Sequence, residues 1–274
     1  MNSTKLGDPR VDHSGFQRHE FLIEGAQTVV YTAGHGDPLV FFHGAGTWHG
    51  IDFARAWTDR YRVILPYHPG FGESGDSESA SNFPGCIDHY RNLFSLLNLS
   101  RFHLVGFSLG GRLAAEYAAA NTEQISKLAL IAPGGLEVES ISLPDLRQVK
   151  PEEFPTYMVS DLSTLKRFLP DGFDPQFMQM REREASSTMR LLSDGFNNPL
   201  MPRLLKQLNM PSLIAWGEED RLLPASLAVH WQKYLPNAQI QFFADAGHLV
   251  LDESAAAREA VAKFLSATPN KNKQ

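Results

Sequence analysis

Two rhythms alternate along this chain. Short continuous or alternating apolar runs read as strands, and apolar positions three and four apart read as helix faces. "HEFLIEG" and "AQTVVYTAG" predict two strands joined by a turn at Gly25. "PLVFFHG" predicts a short buried strand ending at Gly44, "DFARAWTDR" a short helix, and "YRVILPYHPG" a strand stopped by Pro69 and Gly70. Ile87, Tyr90, Leu93, Phe94 and Leu97 mark the apolar face of a helix. "FHLVGFSLGGRLAAEYAAA" joins a core strand to an alanine-rich helix, and "KLALIAPGG" is another buried strand. Later come the strand "SLIAWGEED", the helix "SLAVHWQKYL", the strand "AQIQFFADAG" and the helix "AAAREAVAKFLSA". Such alternation implies an α/β fold, a mostly parallel central sheet flanked by helices on both faces.

One stretch breaks the rhythm. From about Leu136 to Leu208 there are no good β-branched runs and many prolines. Phe154, Tyr157, Met158, Phe168, Phe173, Phe177, Met178, Met180 and Met189 enrich it in aromatic and thioether side chains. A structureless loop of this length is improbable in a compact domain, so an inserted helical cap is expected. The organisation is then core (1–135), cap (136–208) and core again (209–274). Most of the cap's apolar residues would form its own interior. A few would face down over a site, because pockets favour domain boundaries. The tail "TPNKNKQ", 268–274, is expected to fray.

Composition narrows the partners. The chain has 274 residues, 43% hydrophobic and 20% charged, enough for a sizeable core. A net charge of −6 argues against nucleic acid or an anionic membrane as the main partner. Cys86 is the only cysteine, which precludes an internal disulfide and suggests a reducing compartment. It is expected to pack within a helix rather than act as a nucleophile. The N-terminal stretch shows no apolar signal core, and no later run is long enough to span a bilayer, so a cytoplasmic protein is expected. Oligomeric state is not legible.

Chemistry concentrates at "GFSLGG", Gly106 to Gly111. Ser108 falls where a strand runs into a helix, a turn so tight that a non-glycine residue must take a strained conformation. Gly106 and Gly110 remove Cβ atoms that would clash there. Strain of this kind persists where function needs it, here a hydroxyl held under the positive end of a helix. A serine hydroxyl needs a base to become a nucleophile. His248, in "FADAGHLVLDE", follows a strand just before the last helix. Strand C-termini share one edge of such a sheet, where sites collect. The acid that would orient His248 lies in "GEED", with Glu218, Glu219 and Asp220 as alternatives.

The order serine, acid, histidine, each at a strand end, resembles the α/β-hydrolase superfamily over essentially the whole chain. "FFHGAGTWHG" is similar to the family's His-Gly loop, "HPGFGESG" to its turn after the fourth strand, and "GHLVLDE" to its histidine loop. The resemblance implies Asp220 as the acid. It implies the backbone N–H groups of Ala45 and Leu109 as the oxyanion hole. A serine at the elbow argues against dehalogenases and epoxide hydrolases, which place aspartate there. It fits esterases, with a small-to-medium, mostly apolar acyl substrate expected. Carbon–carbon bond hydrolases of vinylogous diketones remain an alternative, although Phe107 and Leu249 depart from their usual asparagine and tryptophan. So does a low-turnover ligand sensor on the same fold. His43 is expected to be structural, and His49 to be a loop residue at the pocket's margin. Arg181 and Arg190 in the cap are left outside the site. No cofactor is implied, and no metal-ligand spacing occurs.

Overall fold

The computed structural model describes residues 10–146, 148–150 and 152–267; the tail 268–274 lies outside the described residues. Eight strands form one sheet: β1 Gln17–Ile23, β2 Ala26–Ala33, β3 Asp37–Phe42, β4 Tyr61–Pro66, β5 Phe102–Phe107, β6 Ile125–Ile131, β7 Ser212–Gly217 and β8 Ala238–Phe243. Their spatial order is β1-β2-β4-β3-β5-β6-β7-β8. β1 and β2 make an antiparallel hairpin, turned by Glu24 and Gly25 at positive φ, 49° and 82°. Positive φ at both turn positions matches the twist of the flanking strands. β2 also pairs antiparallel with β4, and every later pairing is parallel.

β5 and β7 are buried along their whole length, which is why they read as unbroken apolar runs. Helices α1 Phe83–Leu96, α2 Leu109–Ala120, α3 Pro155–Met158, α4 Pro175–Leu191, α5 Met201–Leu205, α6 Leu227–Tyr234, α7 Val250–Glu253 and α8 Ala255–Ser266 complete the fold. The helix expected from "DFARAWTDR" is a 3-10 helix, Asp52–Trp57. The chain leaves β3 towards β4 on one side and returns as β5 on the other. The crevice at such a switch point is the natural ligand site of an open α/β sheet.

Between β6 and β7 the described residues form α3, a 3-10 turn at Leu162–Leu165, α4 and α5, with no strand. α4 is the longest of them, at 17 residues. Asp174 caps it by accepting the N–H groups of Gln176 and Phe177, with Pro175 at the first helical position. α5 packs on α2 and fully buries Met201 and Leu205. The apolar residues of the segment divide. Met158, Phe168 and Met180 are buried, whereas Phe173, Met178 and Met189 are 84%, 52% and 71% exposed. These last three turn to solvent, so the apolar surface available to a pocket is smaller than composition suggests.

Candidate active site

Ser108 follows β5 directly and has φ 53° and ψ −117°. Its backbone is held on both sides. Its N–H donates to the Ile131 carbonyl at 2.9 Å. Its carbonyl accepts from the N–H groups of Gly111, Arg112 and Gly134 at 2.9, 3.2 and 3.0 Å. These bonds offset a conformation that costs a non-glycine residue about 1–3 kcal/mol. The neighbouring glycines are needed for the expected reason, close approach of the backbone, and not for a left-handed conformation. Neither Gly106 nor Gly110 has positive φ. A Cβ on Gly106 would collide with the Gly110 carbonyl oxygen, and one on Gly110 with the His43 carbonyl oxygen. They let α2 lie across β5 and against the end of β3.

His248 and Asp220 meet Ser108 in sequence-predicted order. His248 Nε2 is 2.9 Å from Ser108 Oγ, and His248 Nδ1 is 2.8 Å from Asp220 Oδ2. Because the carboxylate can only accept, Nδ1 carries the proton and the Nε2 lone pair faces the serine hydroxyl. Asp220 is buried, while Glu218 and Glu219 are exposed. Its Oδ1 accepts from the N–H groups of Leu222 and Leu223 at 2.9 and 2.8 Å, and Oδ2 from Trp216 Nε1 at 3.2 Å. Four donors on one carboxylate fix its orientation. The Phe107 ring lies 4.9 Å from the His248 ring.

The loop after β3 is organised by two neutral histidines. His43 Nε2 accepts the His68 N–H at 2.9 Å, so its Nδ1 bears the proton and donates to the Gly44 carbonyl at 2.7 Å. His68 Nε2 donates to the His43 carbonyl at 2.9 Å, and its Nδ1 accepts the Tyr90 hydroxyl. Burial pushes the His68 pKa down to about 4 and holds His43 well below the usual range. Tying the Gly44 carbonyl to one side aims the Ala45 N–H of the same planar peptide to the other. A Cβ on Gly44 would be 3.3 Å from Ser108 Cβ, so the loop runs beside the serine. The Ala45 and Leu109 N–H groups have no protein acceptor among the described residues.

Other expected bystanders fall out differently. Cys86 is buried on α1, donates to the Ala80 carbonyl at 3.2 Å and has its pKa pushed up to about 12, so it is no thiolate. His49 is buried with Nδ1 3.2 Å from Asp252 Oδ2 and its ring edge-on to Phe107. Arg190 pairs with Asp76 on the surface at 2.6 Å. Arg181, by contrast, reaches the loop: its guanidinium would be 2.7 Å from a Cβ on Gly46, lies over the Trp48 ring and is 3.9 Å from Glu184. Two open cavities, of 380 and 560 Å³, lie by β1 and by β8 with α8. Neither is lined by Ser108, Asp220 or His248, so side-chain chemistry rather than concavity locates the site.

Sequence reasoning missed two carboxylates that join the site to the segment between β6 and β7. Glu253 accepts the N–H groups of Gly247, Ser160 and Asp161 at 2.6, 2.8 and 2.9 Å, beside a bond from the Leu249 N–H to the Met158 carbonyl. Glu184 is wholly buried beneath α4. Its signal was present: Met180, Glu184, Ser187 and Leu191 recur at helical spacing, which puts a charge on the buried stripe.

Residues 37–255 match the model of the alpha/beta hydrolase fold family. A Shewanella oneidensis protein named cis-3-alkyl-4-alkyloxetan-2-one decarboxylase is 26% identical over 87% of this chain and 85% of its own. A Burkholderia cepacia 2-hydroxy-6-oxo-6-phenylhexa-2,4-dienoate hydrolase is 27% identical over 79% of this chain and 82% of its own. A bacterial membrane phospholipase A structure superposes with a TM-score of 0.77 at 23% identity, covering 93% of this chain and 87% of that one. No helix among the described residues is long and apolar enough to cross a membrane. With a family match over most of its length and this strand order beneath it, the chain belongs to the α/β-hydrolase family and is a hydrolase of that type.

Proposed function

We propose that this protein is a serine hydrolase that cleaves small-to-medium, mostly apolar carboxylic esters through an acyl-enzyme. The observation that carries the reading is the run of contacts from Asp220 through His248 to Ser108, 2.8 and 2.9 Å long, at a positive-φ elbow. His248 Nε2 takes the hydroxyl proton as Ser108 Oγ attacks the ester carbonyl. The carbonyl oxygen becomes an oxyanion and accepts the Ala45 and Leu109 N–H groups, each worth about 3 kcal/mol. The imidazolium, stabilised by Asp220, gives its proton to the leaving alcohol. Water then enters, loses a proton to His248, and releases the acid and free Ser108. The segment 136–208 acts as a cap. Phe196 supports the apolar preference: its ring would be 2.9 Å from a Cβ on Gly134, whose N–H binds Ser108.

A second reading is carbon–carbon bond hydrolysis of a vinylogous diketone acid. Arg181 against Gly46 favours it, since such a substrate carries a carboxylate, and a relative is named for a dienoate. One screen separates the readings: p-nitrophenyl esters of graded chain length against a vinylogous 1,5-diketone acid. Preference for neutral esters, unchanged in Arg181→Met, supports the first. Preference for the diketone, with KM raised at least about tenfold in Arg181→Met, supports the second. Near-stoichiometric cleavage of every substrate would point to a sensor and overturn both.

A further inference from the structure

Glu184 is a charge where a helix ordinarily carries an apolar residue. Its side chain is 0% exposed, on the stripe that α4 turns towards the sheet edge. A buried carboxylate is costly unless donors surround it. Glu184 has three, from two separate loops. Oε2 accepts the Thr47 N–H at 3.1 Å, and Oε1 accepts both the Gly72 N–H at 3.0 Å and the Thr47 hydroxyl. Arg181, one helical turn away, adds positive charge without a hydrogen bond.

Thr47 lies two residues beyond Ala45, on the loop after β3. The Thr47 carbonyl accepts the Gly50 N–H at 2.9 Å, which closes a tight turn on its far side. On its near side the Gly44 carbonyl is held by His43. Ala45 and Gly46 are therefore suspended between two anchors. One anchor belongs to the core, and the other is a side chain of α4. The second loop is held the same way. Beside the Glu184 bond to Gly72, Ser187 Oγ donates to the Gly70 carbonyl at 3.1 Å and Arg183 to the Ser74 and Gly72 carbonyls.

We infer that Glu184 is a positioning residue: through it, α4 fixes the Ala45 N–H where the oxyanion forms, so seating of α4 and completion of the oxyanion hole are one event. The inference rests on the serine-hydrolase reading and deepens it. Glutamine at 184 keeps the shape but loses charge and one acceptor oxygen, which sets an amide N–H₂ against a donor. The loop then relaxes, and the loss is felt where negative charge develops rather than in substrate binding.

The test compares the parent with Glu184→Gln and Thr47→Val, by ester kinetics and by affinity for a trifluoromethyl ketone, whose carbonyl Ser108 Oγ attacks to give a tetrahedral adduct. Glu184→Gln is expected to lower kcat about 30- to 100-fold, leave KM within about threefold, and weaken the ketone by the factor lost from kcat. Thr47→Val removes only the hydroxyl and is expected to lower kcat and ketone affinity together by about fivefold. A merely structural role would lower the melting temperature and leave both readouts unchanged below it. Parental kcat and ketone affinity in folded Glu184→Gln would overturn the inference. If that variant does not fold, parental values in Thr47→Val would overturn it instead. A parent that neither turns over esters nor reacts with a fluorophosphonate at Ser108 overturns the hydrolase reading and this inference together; an active parent with unaltered variants overturns this inference alone.

Discussion

The sheet edge and the segment between β6 and β7 both reach Ser108, but they are held by different forces. At the sheet edge, β5 and β7 are wholly buried, and the serine and aspartate hang from backbone bonds at their ends. The segment buries Met158, Phe168, Met180, Met201 and Leu205 in the same core but offers other apolar side chains to solvent, and it reaches the site's loops through polar bonds. Glu184 binds the Thr47 and Gly72 amides, Ser187 and Arg183 bind carbonyls of the next loop, and Met158 and Glu253 hold the loop around His248. Non-directional burial spreads over many residues, so one change shifts the core little. A few directional bonds concentrate control, so one change can move the segment relative to the site.

The sharpest separation comes from Ser108→Ala. It should lower kcat by about 10⁶ while leaving the melting transition cooperative, because the elbow is held by backbone bonds. Fluorophosphonate labelling followed by peptide mapping checks it: the parent should be labelled at Ser108 and the variant not at all. Asp220→Asn should cost about 10⁴ in kcat, since an amide can donate to Nδ1 and favour the wrong tautomer. Glu218→Gln and Glu219→Gln, exposed two and one positions away, should stay near parental. A dead glutamate variant beside an active Asp220→Asn variant would reassign the acid.

Acid should weaken the core side of the comparison first. The folded protein keeps His68 neutral down to about 4, whereas the unfolded chain protonates near the ordinary 6.5. As pH falls through that window, protons bind the unfolded state preferentially and stability is lost, by about 3 kcal/mol from His68 alone. His43 acts in the same direction. Denaturant midpoints from pH 7 to 4 should fall accordingly, and His68→Gln should flatten the slope. The smallest effect is expected at the joint between the regions. Glu253→Ala leaves the N–H of buried Gly247 without its acceptor and returns those of exposed Ser160 and Asp161 to water, which should cost about 1 kcal/mol of stability. A slight displacement of His248 should lower kcat about tenfold. Chemical denaturation and steady-state kinetics on the one variant read both numbers.

The chain itself determined the strand-helix alternation, the strained elbow at Ser108 and the strand-end positions of His248 and the acidic triplet. Those properties follow from local patterns: unbroken apolar runs for buried strands, glycines for close crossings, and loops at strand ends. Local pattern left Glu218, Glu219 and Asp220 open until the family resemblance pointed to Asp220, and the tertiary structure turns the Asp220 side chain under Trp216 and into reach of His248. It alone divided the apolar residues between β6 and β7 into interior and solvent-facing ones. It also brought Glu184 to Thr47 and Gly72, which lie 137 and 112 positions away in the chain. The spacing of α4 marks Glu184 as a buried charge, but the donors that make it tolerable come from loops whose approach is set by packing of the whole sheet edge, and no local pattern encodes that.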